Sequence, residues 1–313
     1  MVSNFIIENR TTQENITFGQ SDEFQYLIKE VDWGNASASH NTYNFPNQVG
    51  VSISSTKINS RDISITGYVY YLLTKEEMIF LNRNMWEDYC YEKIKQKKKM
   101  LDEIINPIDY VRVIIGNYYI EGKPSSSVKY GINEEENNIY FCKFLINIYC
   151  NNPMFKKNTV TKTVISGSSG IFHFPWVLKP SGIAMSSRKN YLILAVENEG
   201  SVAIGGKIIF KAKGEVLNPS VENLSTGEKI TINKTLQKGE IVTVNTVDGK
   251  EKNITGYLNG VTTGYLNYWN FENSWFKFGK GTTLIGYYTE NSSESLLDVS
   301  IELNPEKYNL EDM

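Results

Sequence analysis

Histidine is nearly absent from this sequence, cysteine is rare, and no stretch stays apolar for long. The 313 residues hold two histidines, His40 and His173. His40 lies in the polar run Ser39-His40-Asn41-Thr42, and His173 stands between Phe172 and Phe174. Ser-His-Asp and Cys-His chemistry needs an imidazole base held beside a nucleophile. Neither histidine has a nucleophile motif near it, so neither is expected to be catalytic. The three cysteines, Cys90, Cys142 and Cys150, form an odd set without CxxC spacing. That argues against a disulfide framework and against a structural zinc site. They are expected as small buried apolar residues in a reducing compartment. No apolar run approaches the roughly 20 residues of a membrane helix. Met1 to Glu8 has neither a basic start nor an apolar core, so no signal peptide is expected.

A strong excess of charge of either sign is also missing. The net charge is -3, which gives no reason to expect non-specific binding to nucleic acid or to an anionic membrane. Gly200 to Gly206 contains glycines but no GxxxxGK[ST] pattern, so no phosphate loop is expected. Glycosidases need only two carboxylates. With 35 Asp and Glu, some pair always looks plausible, and none stands out. Glu134-Glu135-Glu136 reads as a solvated loop. No cofactor and no metal are expected, and the chain does not read as an enzyme.

What the chain does have is aromatic and turn residues: 20 Tyr, 14 Phe and 23 Gly against 8 Pro. Aromatics suit a pleated, half-buried surface, and Gly suits the turns between strands. A mainly β protein of two domains follows from composition and length. Phe5 to Ile7, Ile16 to Phe18, Phe24 to Ile28 and Val49 to Ile53 read as short strands. Ile63 to Tyr70 alternates with period two, placing Ile63, Ile65 and Val69 on one face.

The period then changes. Thr74-Lys75-Glu76-Glu77 is a capping box, with Met78, Leu81, Met85 and Tyr89 following at helical spacing. One helix is expected from there through Ile94 and Leu101 to Ile104-Ile105, ended by Asn106-Pro107. Its basic run, Lys93, Lys95, Lys97, Lys98 and Lys99, reads as a wet face whose stems cover apolar surface. A DNA-binding patch is the weaker reading, because no aromatics interleave the lysines.

Strands resume at Tyr110 to Ile115, Tyr118 to Ile120 and Phe141 to Tyr149. Asn151-Asn152-Pro153 and Lys156-Lys157-Asn158 break the pattern, which divides the chain into domains at 1-158 and 159-313. From Ile171 every signal is β: short strands separated by turns such as Ser225-Thr226-Gly227, Lys238-Gly239 and Asp248-Gly249, at sandwich-like intervals. The charged tail from Asn304 to Met313 is expected to be loose. Aromatics crowd between Tyr265 and Phe278. Tyr268, Trp269 and Trp275 are candidate sugar-stacking residues, against the alternative that the cluster fills the sandwich core.

Several stretches resemble the siphophage distal tail (Dit-type) protein family, a component of the phage tail tip. Phe172-His173-Phe174-Pro175 resembles the family's FxFP segment. Val196-Glu197-Asn198-Glu199-Gly200-Ser201-Val202 resembles its NxG[DS] strand-turn. Ile208 to Gly214 with Asn218 to Asn223 resembles its IxIxG…NPxIxN run. Gly239-Glu240-Ile241-Val242-Thr243-Val244-Asn245-Thr246 resembles GExLxIDT, and Trp275 to Leu284 resembles the late W…LxxGxN strand. Asn245 stands where the family usually has Asp, and Thr282 where it often has Asn. In the first half, Arg61 to Gly67, the helix ending at Asn106-Pro107, and Cys150 to Phe155 fall in the family's order.

The resemblance implies an N-terminal β-sandwich or barrel-like domain with one helix and a C-terminal galectin-like β-sandwich. It implies a homohexameric ring of N-terminal domains around a channel for DNA. The implied partners are other copies of the chain, the tail tube protein, a tail-associated lysin or tip protein, and receptor-binding proteins. Specific nucleic-acid binding and membrane insertion are not implied. The implied location is the tail tip of the virion, after synthesis in the host cytoplasm. No catalytic residues come with the family. Two other roles remain open: a carbohydrate-binding module of the adsorption apparatus, and a glycosidase on a β-sandwich.

Overall fold

The computed structural model describes residues 4–21, 24, 26–81, 85–166, 168–170, 186–188 and 193–310. Phe172-His173-Phe174-Pro175 lies outside the described residues. The chain is mainly β, 49% strand and 12% helix. It divides into two compact units, Met1–Asn158 with Lys307–Met313, and Thr159–Glu306.

Unit 1 contains β1 (Asn4–Asn9), β2 (Asn15–Gly19), β3 (Tyr26–Asp32), β4 (Ala38–Tyr43), β5 (Ser52–Ile58) and β6 (Arg61–Tyr70). After them come α1 (Lys75–Phe80), α2 (Trp86–Ile104), β7 (Val111–Ile115), β8 (Tyr118–Pro124), β9 (Lys129–Tyr130), β10 (Phe141–Cys150) and β11 (Phe155–Lys157). Hydrogen bonding runs in the order β8-β7-β1-β2-β3-β6-β10. β10 then pairs back onto β8 through Ile148↔Pro124 and Tyr149↔Lys123, which closes the sheet into a barrel. Neighbours are antiparallel except β2 and β3.

Alternation decides what fills the barrel. Ile63, Ile65 and Val69 of β6 point inward beside Phe144, Ile146 and Ile148 of β10. Gly67 is required there: a Cβ would lie 2.2 Å from the Leu27 carbonyl and 2.6 Å from the Phe144 ring. Cys90, Cys142 and Cys150 are free and buried. Burial pushes the Cys150 thiol up to about 12, so it stays protonated and inert.

The helical segment differs from expectation in two ways. It forms two helices rather than one. α1 ends where Leu81 turns to extended backbone (φ -90°, ψ 134°). The Thr74–Glu77 capping box forms in full. However, α1 buries no residue, and Met78 and Met85 are exposed instead of forming a core stripe. The buried stripe belongs to α2 and runs Cys90, Ile94, Lys97, Leu101, Ile104. That spacing keeps one face against the barrel.

Lys97 is therefore the second departure, since the basic run was expected on the wet face. Its Nζ donates to the Tyr70 carbonyl at 2.7 Å and sits 4.9 Å from the centre of the Tyr71 ring. Burial, with a smaller contribution from Lys93, lowers its pKa from 10.5 to about 8. Below pH 8 both folded and unfolded states hold the proton, and the cost of burying the cation is present in full. Between 8 and 10.5 the folded state releases the proton first, so folding gains stability as pH rises. The melting temperature of the native chain should therefore rise relative to a Lys97→Met variant between pH 7 and pH 10. A difference independent of pH would show that Lys97 is not desolvated.

Unit 2 contains β12 (Thr161–Ser166), β13 (Ser168–Gly170), β14 (Ser186–Arg188), β15 (Ile193–Asn198), β16 (Gly206–Ala212), β17 (Val216–Leu217) and β18 (Ser220–Asn223). It continues with β19 (Lys229–Thr231), β20 (Thr235–Leu236), β21 (Ile241–Asn245), β22 (Asn253–Leu258), β23 (Val261–Gly264), β24 (Gly281–Tyr288) and β25 (Leu297–Leu303). A six-stranded sheet, β12-β25-β16-β21-β22-β23, accompanies a four-stranded one, β15-β24-β18-β19. Ile208, Phe210, Val242, Val244, Val299 and Ile301 of the first share one buried core with Val196, Val221, Ile230, Ile285 and Tyr287 of the second. This is a β-sandwich.

One motif noted in the sequence forms a structural lock. Asn198 is buried, and its Nδ2 donates to the carbonyls of Val202, Phe278 and Gly279. Its Oδ1 accepts from the Gly200 amide. One side chain thus ties the Val196 to Val202 stretch to the Trp275 to Leu284 stretch.

The tail also departs from expectation. The second domain was expected to run to residue 313, with a loose end. Instead Lys307–Met313 groups with unit 1. There Tyr308 and Asn309 accept hydrogen bonds from Arg61, and Leu310 packs on the barrel core.

Candidate assembly surfaces

Two features of unit 1 leave apolar side chains in water. The first is the hairpin β4–β5. Its strands pair from Ala38↔Ile58 to Tyr43↔Ser52 and join no other strand among the described residues. An isolated two-stranded hairpin is marginally stable in water. This one nevertheless exposes Tyr43, Phe45, Val49, Val51, Ile53 and Ile58, with Phe45 at 60%. The Tyr43 and Phe45 rings meet edge-on at 5.1 Å. Val49 to Ile53 was expected as a strand, but β5 begins at Ser52 and buries neither face. His40 lies on this hairpin, where its Nδ1 is 2.9 Å from Thr56 Oγ1.

The second feature is α1. Ile79 is 83% exposed and Phe80 93%. The first turn of the helix is anchored all the same. Glu77 accepts from the Tyr71 hydroxyl at 2.5 Å, the Thr74 amide at 2.9 Å and the Tyr89 hydroxyl at 2.9 Å. These bonds, Tyr71's first, hold its carboxyl down at about 2. A short helix pinned in this way presents a fixed apolar patch, which suits an interface better than a mobile loop.

Chemical sites are sparse by comparison. Among the described residues, no group of three or more His, Cys, Asp and Glu could hold a metal ion. Glu136, from the acidic run, pairs with Lys143 at 2.5 Å.

The three candidate sugar contacts fall together in unit 2. The Trp269 and Trp275 rings stack at 4.1 Å, 13° from parallel, and Tyr268 meets Tyr265 edge-on at 5.2 Å. All three are half-buried against the sandwich core. The two tryptophans occupy one ring face of each other, so they brace the loop between them. The exposed aromatic of that loop is Phe271.

No family model and no curated protein matches the sequence. Among solved structures, the chain is similar to the SPP1 Dit (gp 19.1) protein, described as a paradigm of the hub adsorption apparatus in phages infecting Gram-positive bacteria. Identity is 11%, the match covers 96% of this chain and 98% of that one, and the TM-score is 0.61. A chain of the phage P2 baseplate, in its activated conformation with Ca, matches at 10% identity over 96% of this chain and 98% of that one, with a TM-score of 0.45. A barrel followed by a sandwich, traced over nearly the whole length of a tail hub protein, gives this chain the Dit-type phage tail hub fold.

Proposed function

We propose that this chain is a structural hub subunit of a phage tail tip and not an enzyme. Six copies close through unit 1 into a ring around a channel for DNA. The ring joins the tail tube protein on one side to a tail-associated lysin or tip protein on the other, and receptor-binding proteins attach around it. The subunit is made in the host cytoplasm and resides in the virion. Unit 2, with its galectin-like sandwich, serves as the peripheral attachment domain.

The observation that carries this reading is the pair of exposed apolar surfaces on unit 1, the β4–β5 hairpin and α1, set on a Dit-type fold. A ring uses two different surfaces of each subunit, one received by the next copy, and must close. Permanent contacts of this kind bury more than about 2,000 Å². Hairpin edges provide unpaired amides that can extend a sheet between subunits. A net charge of -3 also suits a channel that DNA must traverse without sticking.

Native mass spectrometry and negative-stain images of the purified chain test the proposal. The expected result is a six-fold ring at six times the 35.7 kDa chain mass. The double variant Ile79→Asp, Phe80→Asp should be monomeric, with the unfolding temperature of a dissociated native subunit, because neither side chain supports the barrel. A native chain that stays monomeric and is absent from purified tails would overturn the reading.

A further inference from the structure

We propose that unit 2 carries a binding site for a neutral glycan on the outer face of its four-stranded sheet. The inference does not depend on the ring. It begins with a cavity of about 430 Å³ on that face. Sites for small ligands commonly run from about 300 to 1,000 Å³.

Strand register builds the floor. Ser220 on β18 lies beside Thr231 on β19 and beside Tyr288 on β24. Three hydroxyl residues on three neighbouring strands therefore form one row. In the next row, Gly286 stands on the same face of β24 as Tyr288, two residues away. A Cβ at Gly286 would lie 2.6 Å from the Tyr288 hydroxyl and 3.0 Å from the ring carbon bearing it. The missing side chain lets the tyrosine lie down along the strand. A ring laid on a sheet presents its face, and such a face accepts the C–H side of a pyranose while its hydroxyl bonds at the edge.

One wall is the loop between Trp269 and Trp275, and it is fixed. Asn273 Oδ1 accepts from the Thr231 amide at 2.8 Å, and its Nδ2 donates to the Thr231 carbonyl at 2.8 Å. The side chain mimics a strand partner at the edge of β19. The stacked tryptophans close the base of the loop, and Glu272 stands on its exposed rim. The residues first expected to touch sugar thus hold the wall, and Tyr288 supplies the platform.

The chemistry selects the ligand. Hydroxyls and side-chain amides predominate. The lining holds one cation, Lys229, and two carboxylates, Glu272 and Glu290. A phosphate or nucleotide would meet more negative than positive charge. A lipid would find no apolar floor. A neutral molecule rich in hydroxyls can pair with both donors and acceptors of the lining.

The test is calorimetry and saturation-transfer NMR on the full chain, with di- and trisaccharides of glucose, galactose and N-acetylglucosamine as probes. At least one should bind. Tyr288→Ala should weaken that binding about tenfold or more, as expected for losing a stacking face. Glu272→Ala, on the exposed rim, should weaken it several-fold while leaving thermal unfolding unchanged, which separates binding from folding. No binding by any of the saccharides, affinity unchanged in both variants, or inorganic phosphate competing for the site would overturn the proposal. Ring formation, read separately, would be unaffected by any of these outcomes.

Discussion

A chain ending at Glu306 will keep the fold of unit 1 but lose much of its stability. The reason is Arg61, at the start of β6, which is 1% exposed. Its Nη2 donates to the Tyr308 carbonyl and more weakly to Asn309 Oδ1, at 2.5 and 3.4 Å. Its guanidinium carbon lies 4.8 Å from the centre of the Phe155 ring. Among the described residues, Nε and Nη1 have no hydrogen-bond partner. Burial pulls the Arg61 pKa down. The tail therefore supplies the polar partners of a buried cation, and Leu310 covers part of the core beneath. Losing a hydrogen bond to a charged group costs about 1.5–3 kcal/mol, and uncovering the core beneath adds to it. Domains hold only about 5–15 kcal/mol in all. Amide hydrogen exchange in β6 and β10 should accelerate by two or more orders of magnitude, the factor that about 3 kcal/mol implies. Arg61→Met in the shortened chain should restore part of the protection, because the uncompensated cation is gone. Unchanged exchange in the shortened chain would sink the idea that the tail clasps the barrel.

That clasp marks the boundary between what was legible in the sequence and what was not. Local patterns were legible. The alternation from Ile63 to Val69 predicts β6 and its inward face, and Thr74-Lys75-Glu76-Glu77 predicts the cap of α1. Both are written within a few residues. The order of the resembling motifs pointed to the Dit-type fold, and Asn198 shows what one such motif does: it bonds across strands distant in the chain. Contacts that depend on distant partners were not legible. Lys97 looks like any member of a basic run until Tyr70 and Tyr71 are placed beside it. The tail looks loose until Arg61 is seen to need it. The β4 segment, Ala38 to Tyr43, reads as polar loop because a strand that buries no face carries no alternation. For the proposed sugar site, the aromatic cluster stands out in the sequence, but Tyr288 is marked only by its register against Ser220 and the space at Gly286.

Glu240→Ala will be among the most damaging single substitutions in unit 2, although Glu240 lies at a turn. The residue follows Gly239, whose φ of 86° belongs to the left-handed region that glycine adopts freely. Glu240 is fully buried. One carboxylate oxygen takes the Lys234 ammonium at 2.7 Å, and the other accepts from the Gln237 amide at 2.8 Å. The same Lys234 lies 5.1 Å from the centre of the Tyr265 ring and 5.8 Å from that of Tyr268. Burial pushes the Glu240 pKa up. The Gln237 amide, the Lys234 side chain and the Tyr265 hydroxyl outweigh it and hold the carboxyl below its ordinary value. The folded-state pKa is thus the lower one. The contribution of Glu240 is fully present above the ordinary carboxylate range and is lost as pH falls through the folded-state value. Alanine removes the anion, strands a mostly buried ammonium between two tyrosines, and leaves the Gln237 amide without its acceptor. A loss of about 3–5 kcal/mol follows. Glu240→Gln keeps the acceptor but not the charge, so it should fall between the two. The damage should also spread: the Asn233 amide bonds to the Tyr268 carbonyl, and Tyr268 adjoins the Trp269–Trp275 stack that braces the cavity wall. Urea unfolding at pH 7 measures the loss, and repeating it toward pH 3 should bring native and Ala variant together. A variant as stable as the native chain at pH 7, or a gap that widens in acid, would mean that the Lys234–Glu240 pair does not hold this turn.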